Sequence, residues 1–229
     1  PLLLRGQAPA AGVESVTLAQ LPPLPDTGIE LRAIAASLQA DPRMDVFLRR
    51  EATERRVHEM DRARELARRR VVMFATHGLV PGDIDGLTQP ALALTSPADV
   101  PGAGDGLLTM DEVLGLRLDA DWVVLSACNT AAGEGAGAEA LSGLGRAFFY
   151  AGARALLVSD WPVETTSARQ LMTGMFAQLA ADPSLGKAQA LRRSMLALID
   201  SPGATGPGGR IEFSYAHPLF WAPFVVVGD

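Results

Sequence analysis

The run Val71-Val72-Met73-Phe74-Ala75-Thr76-His77-Gly78 and the run Trp122-Val123-Val124-Leu125-Ser126-Ala127-Cys128 decide how this chain is read. Each is an apolar stretch of strand length that stops on a reactive residue. That is the pattern of a buried parallel strand delivering a side chain to its carboxyl edge. Ligands of open α/β sheets bind in the crevice beyond those ends. With the two strands side by side, His77 and the single cysteine of the chain share one crevice, and a thiol nucleophile with an imidazole base is the expected chemistry.

Strands and helices alternate outward from these runs. Upstream, residues 1–27 hold Gly6, Pro9, Gly12 and Leu21-Pro22-Pro23-Leu24-Pro25, with one short strand expected at Val13 to Leu18, and read as a surface segment leading into the domain. The pattern predicts a helix over Ile29 to Leu38, a short strand at Met44 to Leu48, and a charge-dense helix from Glu51 to Arg70 whose acids come early and whose Arg68-Arg69-Arg70 run comes late, as a helix dipole favours. His58 lies inside this polar helix and reads as a surface histidine. Residues 78–106 read as a long irregular connection with one strand-like piece at Ala91 to Thr95. Thr109 and Glu112 form a capping box for a short helix over Met110 to Leu116. Beyond Cys128, a small-residue loop over 129–137 leads to a helix from Ala138 to Ala151, closed by Gly152. A buried strand is expected at Ala155 to Ser159, helices at about Thr166 to Ala181 and Gly186 to Ile199, a loop from Ser201 to Gly209, and a final strand at Phe224 to Val227. The alternation predicts a mostly parallel sheet with helices on both faces.

Composition narrows the classes. A 229-residue chain that is 48% apolar and 20% charged is ordinary for a globular α/β protein. No apolar run reaches the ~18 residues of a spanning helix, and a net charge of −6 offers no basic face to nucleic acid. One cysteine makes no internal disulfide, which is compatible with a reducing compartment, so a cytoplasmic location is expected. The chain opens at Pro1 without Met, and a longer protein with an upstream part is expected.

Taken singly, Cys128 and His77 each read as core residues. Together, each ending a buried strand next to small residues that admit a substrate, they read as a catalytic pair. His77 takes the Cys128 proton, the thiolate attacks a carbonyl carbon, and the imidazole protonates the leaving amine. The backbone N–H groups of Gly78 and Cys128 are candidates for the oxyanion hole, worth about 3 kcal/mol per donor. No side chain stands out as a third, orienting group, which leaves a backbone carbonyl to hold the imidazole. The three histidines and one cysteine are scattered without ligand spacing, so no metal is expected. A rival reading is nucleotide binding at Gly135-x-Gly137-x-x-Ala140 with Asp160 downstream. The first glycine comes too late after the strand for the tight turn of a dinucleotide fingerprint.

Ala75-Thr76-His77-Gly78, Gly106-Leu107-Leu108-Thr109, Leu125-Ser126-Ala127-Cys128-Asn129-Thr130, Gly152-Ala153-Arg154 with Trp161-Pro162-Val163, and His217-Pro218-Leu219-Phe220-Trp221-Ala222-Pro223-Phe224 with Gly228-Asp229 resemble the CHAT domain. That family belongs with the caspase-like cysteine peptidases, among them separase, metacaspases and gingipains. The resemblance implies a caspase-like three-layer αβα sandwich with a mostly parallel central sheet over residues 28–229, behind a leading segment of 1–27. It implies a cysteine endopeptidase that cleaves peptide bonds in a partner protein, with His77 as base and Cys128 as nucleophile, and no metal or organic cofactor. The specificity pocket is expected near the strand before Cys128 and the segment after residue 159, where Asp160 and Glu164 are the acids that would select Arg or Lys. His217 falls in the closing motif and is expected to be structural. CHAT domains typically follow helical TPR repeats, so an upstream TPR region or an activating partner is expected alongside a protein or peptide substrate. The alternative within the fold is a catalytically silent interaction module.

Overall fold

The computed structural model describes residues 17–126, 136–159, 161, 163–206 and 208–228, with the backbone alone over 136–142. In chain order the elements are α1 (Pro25–Ser37), α2 (Glu54–Arg62), β1 (Val71–Phe74), β2 (Gly78–Leu79), β3 (Ala91–Ala93), β4 (Leu107–Thr109), α3 (Met110–Gly115), β5 (Trp122–Leu125), α4 (Ala136–Tyr150), β6 (Ala155–Ser159), α5 (Thr165–Ala181), α6 (Lys187–Ile199), β7 (Ala204–Thr205), β8 (Ile211–Phe213), α7 (Pro218–Trp221) and β9 (Phe224–Gly228). The described residues fall into two units, one of residues 24–46 and 163–224, the other of residues 17–23, 47–162 and 225–228.

The second unit is built on a sheet of order β1-β5-β6-β9, in which β1 and β6 both run parallel to β5. This is the mixed α/β architecture with a mostly parallel central sheet that the strand and helix pattern leads one to expect. Trp122, Val123, Val124 and Leu125 of β5 are fully buried. Val and Trp favour the pleated surface, and burying each large side chain is worth about 1.5–3 kcal/mol. Leu144 and Phe148 of α4 join Val123 and Leu125 in one core cluster, and the Phe148 ring lies 5.8 Å from that of Phe74 on β1. Unlike β5, β1 is only half-buried along its length. At the amino edge, Arg70, Asp121 and Arg154 immediately precede β1, β5 and β6. Asp121 accepts from Arg70 at 2.6 Å and from Arg154 at 2.5 Å, and Arg154 also reaches Asp119. In the first unit, α5 buries Leu171, Met172, Met175 and Phe176, and α1 buries Ile34 and Ala35.

Several expectations are corrected. Met44 to Leu48 is not a strand. Asp41 folds that stretch into a turn, its carbonyl accepting from the amides of Met44 and Asp45 and its carboxylate from the amide of Arg43. The helix expected over 51–70 is broken: α2 starts only after Thr53, whose hydroxyl caps the Arg56 amide, and ends where Arg64 turns to φ +58°. Glu65 N–H then reaches back to the Met60 carbonyl, the wrapping bond of a left-handed helix stop. This redirects the chain so that Leu66 enters the core. Residues 78–106 are also more ordered than expected, because β2, β3 and β4 form a small antiparallel sheet. Ser201 to Gly209 contains β7, paired with β8. The strand expected at Val13 to Leu18 lies mostly outside the described residues, and Leu18 opens a 3-10 turn instead.

Gly152 shows how tightly α4 is set. It sits at φ +110°, and an added Cβ would lie 2.2 Å from the Leu118 carbonyl oxygen. Gly152→Ala is therefore expected to destabilise the fold by about 2–4 kcal/mol, read as a lowered midpoint in urea unfolding with an unchanged slope.

Candidate functional site

The end of β1 and two hydrogen bonds to Ala93 fix His77. β1 ends at Phe74, and Thr76 Oγ1 donates to the Ala93 carbonyl at 2.5 Å while the Ala93 amide donates to the His77 carbonyl at 2.9 Å. Residue 77 is thereby pinned at the mouth of the β2–β3 hairpin. His77 is 8% exposed, and its Nε2 lies 2.8 Å from the Pro22 carbonyl oxygen. A carbonyl only accepts, so Nε2 carries the hydrogen, and in the neutral imidazole the lone pair belongs to Nδ1. The orienting group is thus a main-chain oxygen, supplied by a segment 55 residues upstream.

Pro22 is held there by apolar packing. Gln20 and Thr17 close a capping box on the turn Leu18–Gln20. Leu18 and Leu21 pack with Leu107 against a cluster of Leu79, Ile84, Leu87, Ala91 and Ala93. Gly106, at φ +86°, makes room for this strap: a Cβ there would meet Leu18 Cδ2 at 2.5 Å. The sequence offered Leu18 as the end of a short strand and Leu21 as part of a surface entry segment, and no local signal tied them to His77.

The register of β1 and β5 bears on Cys128. Phe74 is paired with Leu125, and the ladder continues one step as Ser126 N–H donates to the Phe74 carbonyl at 2.9 Å. His77 and Cys128 each stand three positions beyond that pair in the sequence. Cys128 itself, the loop through Gly135, and Asp160 lie outside the described residues. The glycine run of the rival nucleotide reading begins there too, and Gly137 lies in the first turn of α4.

Gly78 pairs with Leu92 across the β2–β3 hairpin. The neighbouring Ala93 N–H to His77 C=O bond makes 77/93 the hydrogen-bonded kind of pair. Alternation then makes Gly78/Leu92 the kind whose amides turn away from the partner strand, so the Gly78 N–H is directed away from β3.

Glu164 has a structural task. It caps α5, one carboxylate oxygen accepting from Thr166 N–H at 2.9 Å and the other from Ser167 N–H at 2.7 Å, and it is 5% exposed. His217 caps α7, its Nδ1 accepting from Leu219 N–H at 3.2 Å, which gives it a structural task too. His58 is not the plain surface histidine expected: it lies half-buried against Glu54 and Glu112. These three are the group of potential metal ligands that converges among the described residues.

The described residues include no helix long and apolar enough to cross a membrane. Tetratricopeptide repeat protein 28 of mouse is 32% identical over 138 residues, which is 58% of this chain and 5% of that protein. The human protein of the same name is 29% identical over a stretch of the same length, with the same coverage. The match therefore spans about a twentieth of the length of either relative. A family model described as the CHAT domain matches residues 5–229. With that match over nearly its whole length, this chain belongs to the CHAT domain family of caspase-like α/β folds.

Proposed function

We propose that this domain is a cysteine endopeptidase acting on a partner protein. The observation that carries the reading is the equal step from the paired Phe74 and Leu125 to His77 and Cys128. His77 Nδ1 takes the Cys128 thiol proton. The imidazolium is oriented through Nε2–H on the Pro22 carbonyl. The thiolate attacks the scissile carbonyl, and the oxyanion is met by the amides of Gly78 and Cys128. Collapse breaks the C–N bond, the amine leaves with the proton from Nδ1, and water activated by the same nitrogen hydrolyses the thioester. No step calls for a metal or an organic cofactor.

The name shared by the relatives supports a setting beside TPR repeats, and an upstream region or an activating partner is part of the proposal. The single cysteine supports a cytoplasmic setting. Selection of a basic residue at the cleaved position would fall to Asp160 and Glu164. For Glu164 this would come in addition to its capping bonds.

Cys128→Ala and His77→Ala are each expected to lower kcat/KM for peptide cleavage by about 10³-fold or more, with melting temperatures close to wild type. An electrophilic peptide probe that fails to label Cys128, even with the upstream region and activating partner present, would instead make the domain an interaction module. Leu18→Ala with Leu21→Ala loosens the strap that sets Pro22. It is expected to lower kcat by about 10–100-fold with little change in KM, measured on the same peptide. A peptide-library profile of wild type and Glu164→Gln decides the pocket. Loss of an Arg or Lys preference in the variant assigns Glu164 to it, and an unchanged profile leaves Glu164 as a cap alone.

A further inference from the structure

Glu54 and His58 stand one helical turn apart on α2, and Glu112 reaches them from the first turn of α3. His58 Nε2 lies 3.1 Å from Glu112 Oε1 and 3.7 Å from Glu54 Oε1, and one ligand atom from each of the three falls within 4.8 Å of the others. The two carboxylates are held from behind. Glu54 Oε2 accepts from the amides of Asp105 at 2.7 Å and Gly106 at 3.1 Å. Glu112 Oε2 accepts from the Thr109 amide at 2.8 Å and hydroxyl at 2.7 Å. Each therefore presents its other oxygen to the imidazole, the outer-shell support that orients metal ligands.

The ion pairs of Glu54 and Glu112 among the described residues are with His58 alone. The neighbouring cations Arg55 and Arg56 are both drawn to Glu59. Two carboxylates with one imidazole leave a negative site, and their side chains are only 13%, 27% and 31% exposed for Glu54, His58 and Glu112. Burial holds the Glu54 carboxyl above its ordinary range, with the charges of Asp105 and Glu112 adding to the effect. Burial also pushes Glu112 upward, but the Thr109 bonds and His58 outweigh it and hold that carboxyl below its ordinary range.

We propose that Glu54, His58 and Glu112 bind a divalent transition cation of the Zn²⁺ class, joining α2 to α3. A mixed nitrogen and carboxylate set suits such an ion, whereas Ca²⁺ and Mg²⁺ favour oxygen ligands throughout. Ligand atoms around a tetrahedral ion bonded at about 2.0–2.1 Å are about 3.4 Å apart. The observed 3.1 and 3.7 Å fall on either side of that spacing. Water completes the shell on the exposed side. A count of histidine and cysteine ligands overlooks this site because two of its three ligands are glutamates, one of them on a different helix.

The test is made on the full chain carrying Cys128→Ser, which removes the competing thiolate ligand. Calorimetry with ZnCl₂ is expected to show one ion per chain. Co²⁺ is expected to give visible bands without a thiolate charge-transfer band. At a Zn²⁺ concentration about one hundred times Kd, the melting temperature should rise by about 5–10 °C. His58→Gln should weaken binding by about 100-fold, and Glu112→Gln, which keeps the capping box, by about 10-fold or more. The proposal is overturned by the absence of saturable Zn²⁺ binding in the Cys128→Ser chain. It is equally overturned by binding that neither substitution weakens, or by Ca²⁺ or Mg²⁺ binding as tightly as Zn²⁺.

Discussion

The in-register parallel pairing of β1 with β5 is the constraint on which the rest depends. Val71 opposite Trp122 and Phe74 opposite Leu125 fix where both chains leave the sheet. A slip of one residue would turn every side chain of a strand to the opposite face, and the burial of Val123 and Leu125 against α4 forbids it. The row of Arg70, Asp121 and Arg154 at the amino edge follows the same alignment, one charge before each strand and alternating in sign. Such exposed pairs add little stability. Their contribution is to favour one register over its neighbours.

Much of this was legible in the sequence because the signals were local. Four consecutive buried residues in β5 cannot be an amphipathic surface element, and the capping box of Thr109 and Glu112 starts α3 as the residue types require. Gly152 closes α4 at φ +110°, where an added Cβ would meet the Leu118 carbonyl. The strands at 155 and 224 likewise announce themselves by β-branched and aliphatic runs.

What escaped the sequence was long-range or disguised. Arg64 takes a left-handed conformation that its residue type does not advertise, because bringing Leu66 into the core outweighs the local strain. The small sheet of β2, β3 and β4 has strands of two or three residues, too short for alternation to register. The capping role of Glu164 was not visible in the sequence, because its bonds to the amides of Thr166 and Ser167 depend on where α5 begins. His58 looked solvated because its carboxylate partner on α3 is 54 residues away.

Because the atom that steadies His77 belongs to a peptide group, no polar residue type marks it, and replacing the Pro22 side chain does not delete it. The trait is encoded instead by greasy side chains at 18 and 21 and by a missing side chain at 106. A comparison restricted to ionisable residues would therefore overlook the carbonyl that accepts from His77 Nε2. Drift among bulky hydrophobes in that short span would shift the imidazole's anchor while every titrating group stays in place.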